Sequence, residues 1–231
     1  MSDKITDTSG LNAKVAGKAG DGTIGQPRDV TTTRGPTIVD TVNDISLKSG
    51  QTAAEVAAKV LKNSPTLKEK TKQVIKPELV GRIYAAEKKR MSWYEHLGID
   101  GDTVGRGQLS NKSYSDVKKF LSKEFDTYLK KMNLKINKQL PYDNVWRDPV
   151  LEDFIVLACL ALWVDRSQRV GRTATDALKF GIGKYHGAYA TLVESQKRVG
   201  NEIDFDPVEK DLQSQGSKEK DLVDYINEIA Q

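Results

Sequence analysis

Apolar residues recur at helical spacing along most of the chain beyond residue 50. In TAAEVAAKVLKN (52–63), Ala53, Val56, Ala57 and Val60 fall on one face, and Ser64-Pro65 punctuates the run. KPELVGRIYAAEKKRMSWYEHLG opens near Pro77 and closes at Gly98, a helix start and stop pair, with Val80, Ile83, Tyr84, Met91 and Tyr94 as its stripe. A helix over Ser113–Asn133 sets Val117, Phe120, Leu121, Phe125 and Leu129 on one side. The run FIVLACLALWV (154–164) makes 148–164 a buried central helix. Further helices are predicted at 174–183, 187–199 and 222–230. No series of alternating strands joined by hairpin turns is visible, so the class is all-α, with a short β-turn element within 98–110.

The aromatic residues divide the chain, since no Phe, Tyr or Trp precedes Tyr84. Residues 1–36 are rich in Gly, Thr, Asp and Lys and cannot bury enough surface to offset their ordering entropy, so they read as a flexible polar arm. Residues 37–75 read as a small helical extension, and 76–231 as the main domain on which it packs.

Composition narrows the function classes only a little. A net charge of +4 over 231 residues is too weak to indicate nucleic acid, and no dense Lys/Arg block carries interleaved aromatics. The single cysteine, Cys159, lies inside the apolar run; it forms no internal disulfide and reads as a small core residue. That run is too short to span a bilayer, so no stable membrane insertion is expected. The start, MSDKITDTSG, lacks the apolar segment of a secretory signal peptide, which predicts synthesis in the cytoplasm without one.

One position departs from this plain pattern. Glu87 falls inside the apolar stripe, seven residues after Val80 and three after Tyr84. A carboxyl half-buried among apolar groups has its charged form disfavoured, and a carboxylic acid that keeps its proton can protonate a leaving oxygen. The plain alternative is a stripe-edge glutamate paired with Arg82 or Lys88. After the helix comes a loop with Gly98, Gly101, Gly105 and Gly107, which allow close backbone approach by a ligand. Asp100 and Asp102 add carboxylates, and Gln108 places an amide beside two glycines, suited to a sugar hydroxyl or N-acetyl group.

A glutamate late on a helix, a short glycine loop and the stretch GRGQLS (105–110) together resemble the lysozyme-like superfamily, and within it goose-type lysozymes and soluble lytic transglycosylases. IGKYHGAY (182–189) resembles the aromatic-plus-glycine motif near the end of that fold, and DLVDYINEI (221–229) its closing helix. Where these families often place serine after the glutamate, this chain has Lys88. The resemblance covers 76–230, about two-thirds of the chain. It implies an all-α enzyme that cleaves the peptidoglycan strand between N-acetylmuramic acid and N-acetylglucosamine. Glu87 would be the general acid, with Gln108, Gly107, Tyr185, His186 and Tyr189 on the substrate side.

Two reactions share that acid. Inverting hydrolysis needs a second carboxylate to activate water, for which Asp100 and Asp102 are the candidates and Glu95 a third. Transglycosylation needs none, because the sugar's own hydroxyl attacks. Asp100-Gly101-Asp102 is equally plain turn chemistry. No cofactor is expected, although Glu95 with Asp100 or Asp102 would make an oxygen-rich calcium site. His96 reads as a cap or surface group, Trp93 and Trp146 as residues able to stack on sugars, and Trp163 as core. Peptidoglycan lies outside the cytoplasm, so the expected setting is an antibacterial effector acting in a rival cell's periplasm, as in type VI secretion. Its partners would be peptidoglycan, an immunity protein and a component of the secretion apparatus. A phage lysis enzyme is the alternative setting, and a non-enzymatic helical binding module is the rival from another class.

Overall fold

In the computed structural model, residues 28–29, 51–91, 103–136, 148–168, 172–200 and 204–231 are described. Trp93, Glu95, His96, Asp100, Asp102, Trp146 and the side chain of Tyr189 lie outside them, as do residues 37–50 of the extension and all of the polar arm except Arg28–Asp29. The described chain is all-α. Its helices are α1 (Ala53–Lys62), α2 (Glu69–Val74), α3 (Glu78–Arg90), α4 (Asn111–Phe120), α5 (Ser122–Lys131), α6 (Pro149–Ser167), α7 (Ala174–Tyr185), α8 (Tyr189–Arg198), α9 (Phe205–Gln215) and α10 (Ser217–Ala230). Strand content is limited to two-residue pairs. β1 (Arg28–Asp29) runs parallel to β4 (Leu134–Lys135), and β2 (Thr103–Val104) runs antiparallel to β3 (Leu109–Ser110). The second pair is the β-turn element expected within 98–110.

The centre is α6. Asp148 caps it by accepting from the amides of Val150 (3.0 Å) and Leu151 (3.1 Å), and Pro149 opens its first turn. Its residues Phe154–Leu160 are almost wholly inaccessible, so apolar neighbours must surround the helix on every side. Those neighbours are α1, α2, α3, α4 and, most extensively, α7, with Phe125 and Tyr128 of α5 packed on Phe154. The close approach of α7 depends on Gly181, where a Cβ would stand 2.9 Å from the backbone nitrogen of Val164. Cys159 sits in this interior, and burial pushes its thiol up to about 11. No helix among the described residues is long and apolar enough to cross a membrane.

The extension and the main domain share one interior. Val56, Ala57, Val60 and Leu61 of α1 join the same buried cluster as α3, α6 and α10. A Thr52/Glu55 capping box starts α1, with 3.2 and 2.7 Å bonds that satisfy two orphan amides.

Two helix boundaries differ from the sequence pattern. The helix carrying Glu87 stops at Arg90, because Met91 turns to an extended conformation (φ −64°, ψ 130°), short of Gly98. The predicted helix over Ser113–Asn133 is two helices broken at Leu121 (φ −125°, ψ 36°). The break keeps Val117, Leu121 and Phe125 inside while Phe120 is turned out, 42% exposed under the guanidinium of Arg166. Helices α2 and α9 have no counterpart in the individually predicted segments.

Candidate functional site

Glu87 lies in the last full turn of α3, where Leu79, Val80, Ile83 and Ala86 point into the core. It is half-buried, one turn beyond Ile83 on that stripe. Its Oε1 accepts a 2.5 Å hydrogen bond from the hydroxyl of Tyr225 on α10. Arg82, one of the candidate partners from sequence, donates to the carbonyl of Ile229 (3.1 Å). Tyr225 is fully buried, and burial together with the Glu87 carboxylate raises its pKa well above that of a free tyrosine. The ring of His186 meets Tyr225 edge-on at 4.4 Å between centroids. Burial lowers the His186 pKa, Arg90 assists, and Asp221 opposes. Its Nδ1 is buried with no hydrogen-bond partner among the described residues.

Glu87 and His186 face a cleft of about 390 Å³, within the usual range for ligand sites, with Tyr225 buried behind them. Glu87, Gln108, Tyr185 and His186, four of the residues singled out from sequence, all line it. Residues 103–110 form one wall. Gly105 (φ 80°) and Gln108 (φ 47°) both take left-handed backbone, uncommon for glutamine. The Gln108 amide stabilises the turn: its Nε2 donates to the Gly105 carbonyl (2.9 Å), and its Oε1 accepts from the Thr103 hydroxyl (2.8 Å).

Gly107 has a different place from the one expected. It is buried behind the wall, its amide donating to Glu152 Oε1 (3.0 Å) and its carbonyl accepting from the Tyr185 hydroxyl (2.5 Å). A Cβ there would collide with Val156 and stand 2.9 Å from the Tyr185 oxygen. Gly107 therefore seats the loop, while Tyr185 joins loop to cleft. Trp163, expected in the core, is only partly buried and lines the cleft. The Arg166 guanidinium (4.5 Å) and the Lys184 ammonium (5.0 Å) lie over its indole.

The anchor beneath the loop is Arg106. Its Nε donates to Glu152 (2.9 Å), and its Nη2 to Asp153 (2.9 Å), the Pro149 carbonyl (2.9 Å) and the Tyr84 hydroxyl (3.2 Å). The guanidinium also lies 4.2 Å over the Tyr84 ring. Burial raises the pKa of both Glu152 and Asp153, against the pull of Arg106. The first turn of α6 thus offers two carboxylates, and the GRG sequence threads its arginine onto them.

Sequence reasoning missed Tyr225 and the Arg106 anchor. A signal for each was present. Tyr225 stands among Leu222, Ile226 and Ile229 on an apolar helical stripe, where a hydroxyl must find a partner. Glu152 and Asp153 open a buried helix, where carboxylates need a cation.

Among the described residues no three His, Cys, Asp or Glu side chains group as a metal site. The calcium candidates Glu95, Asp100 and Asp102 lie outside those residues. Comparison with family models, curated proteins and solved structures finds no match.

Proposed function

We propose that the chain cleaves the glycan strand of peptidoglycan between N-acetylmuramic acid and N-acetylglucosamine, as a muramidase with Glu87 as general acid. The observation that carries this reading is Glu87 itself, a half-buried carboxyl on a cleft wall with one oxygen tied to Tyr225. Its proton passes to the glycosidic oxygen as the C–O bond breaks, and the sugar left behind takes oxocarbenium character. Gln108, Tyr185 and His186 line the same cleft, and the second amide hydrogen of Gln108 suits a substrate acceptor such as an N-acetyl carbonyl. The left-handed Gln108 supports the reading, because strained backbone concentrates at functional sites.

Two routes complete the reaction. A water activated by Asp100, Asp102 or Glu95 gives hydrolysis; the muramyl C6 hydroxyl gives a 1,6-anhydro product. Glu87→Gln keeps the shape and removes the proton. Purified peptidoglycan digested by the wild-type chain and about 10²–10⁴-fold more slowly by the variant supports the reading. Equal digestion by both, or by neither, rejects it and leaves a non-enzymatic helical module. Mass spectrometry of the fragments separates reducing ends from anhydro ends. The setting we propose is an antibacterial effector that works in a target cell's periplasm and is held in check by an inhibitor protein. A phage lysis enzyme is the alternative.

A further inference from the structure

Among the described residues, the cleft is lined by more cations than carboxylates. Arg90, Lys112 and Lys184 all line it, and Glu87 is the one carboxylate among the described lining residues. Arg90 is already compensated by Asp221 (3.1 Å) and Glu228 (3.3 Å), and Arg166, which lies over Trp163, by Asp116 (3.5 Å). Lys112 has no such compensation among the described residues. It also occupies the first turn of α4, which holds no acidic residue and where the helix dipole disfavours a cation. Lys184 is crowded. Burial is the main cause that makes it a weaker base, and Lys112 and Arg166 add to it. The Trp163 indole under Lys184 and Arg166 offsets part of that repulsion. Like charges gathered in a concave, partly desolvated site attract an anion.

On a muramyl strand the anions are carboxylates, carried by the lactyl group or by the stem peptide. We propose that Lys112 and Lys184 form a subsite that holds such a carboxylate while Glu87 acts on the neighbouring glycosidic bond. The subsite rests on the glycan-cleaving reading for the identity of the strand. It predicts that charge next to the sugar, and not the sugar backbone alone, recruits substrate.

Binding tests this apart from cleavage. Full-length Glu87→Gln protein is titrated calorimetrically with three probes: a stem-bearing glycan oligomer, the same oligomer stripped of stems by an amidase so that lactyl carboxylates are free, and neutral chitohexaose. A carboxylated probe should bind about tenfold more tightly than chitohexaose at low salt, with the advantage shrinking as salt rises. Lys112→Gln and Lys184→Gln, each folded by thermal melt, should each weaken that probe about fivefold and leave chitohexaose unchanged. Whichever carboxylated probe binds more tightly identifies the source of the carboxylate. The subsite is overturned if the three probes bind alike, if none binds, or if charge removal weakens all equally or not at all. The cleavage reading stands or falls separately, on whether wild-type protein releases fragments from peptidoglycan.

Discussion

The hydroxyl of Tyr225 donates to Glu87 Oε1 at 2.5 Å, joining α3 to α10 across 138 positions of sequence. A donor on the carboxylate favours its charged form, so removing that donor should raise the proton affinity of Glu87. Tyr225→Phe keeps the ring packed against His186 and deletes only the oxygen. The alkaline limb of the pH–rate profile on peptidoglycan should then move to higher pH, and the rate at the optimum should fall as the acid loses its orientation. The fold should lose about 0.5–1.5 kcal/mol by denaturant titration. An unmoved alkaline limb would show that Tyr225 only fills space.

Arg106 should matter mainly to stability. Its carboxylate partner Glu152 is only 1% exposed, and removing the guanidinium leaves that charge buried. Arg106→Ala should cost about 3 kcal/mol, at the low end for a broken buried pair because Arg106 itself is 38% exposed. Arg106→Lys should recover little of this, since an ammonium cannot reproduce the fork across Glu152, Asp153 and Tyr84. Urea unfolding of the three proteins checks both statements.

Gly107→Ala should combine two faults. The added methyl meets Val156 and the Tyr185 hydroxyl, so the wall must move outward. Overpacking of this kind costs about 1–3 kcal/mol. Activity should fall further than stability alone explains, because Tyr185 lines the cleft through its bond to this residue. Melting curves and peptidoglycan digestion, run side by side at a temperature where the variant is folded, separate the two effects.

His186 predicts a pH dependence of stability. Its folded-state pKa is depressed, chiefly by burial, so the folded chain binds its proton less readily than the unfolded chain. That contribution is fully present above the ordinary histidine value of about 6.5 and is lost as pH falls from there through the lower folded value. Unfolding free energies between pH 7.5 and 5 should therefore drop more steeply for the wild type than for His186→Gln. Parallel curves would reject the assignment.

The helical class was legible because burial of α1, α3 and α10 follows local spacing, while the continuous apolar run of α6 marked a helix buried on all sides. A stripe at 3.6-residue period fixes which face turns inward whatever the partner is. Glu87 was legible as a carboxylate out of place in such a stripe and Gln108 as an amide in a glycine loop, whereas Tyr185 and His186 entered only through the resemblance of IGKYHGAY. Leu121 was not. Its spacing from Val117 and Phe125 is helical, and only the need to bury the α5 aromatics against Phe154 makes the chain break there and expel Phe120.

The pairings across the chain belong to tertiary structure. Periodicity places Tyr225 on a buried face but cannot say which of several carboxylates its hydroxyl will meet. The packing of α10 on α3 selects Glu87. GRGQ announces a turn, and its seat on Glu152 depends on the first turn of α6 arriving beneath it. Local chemistry thus determined the helices and the residues worth suspecting. Which of them share a cleft, and that Lys112, Lys184 and Trp163 join them there, was decided by how α4, α6 and α7 pack, because contacts between distant segments leave no periodic trace in either one.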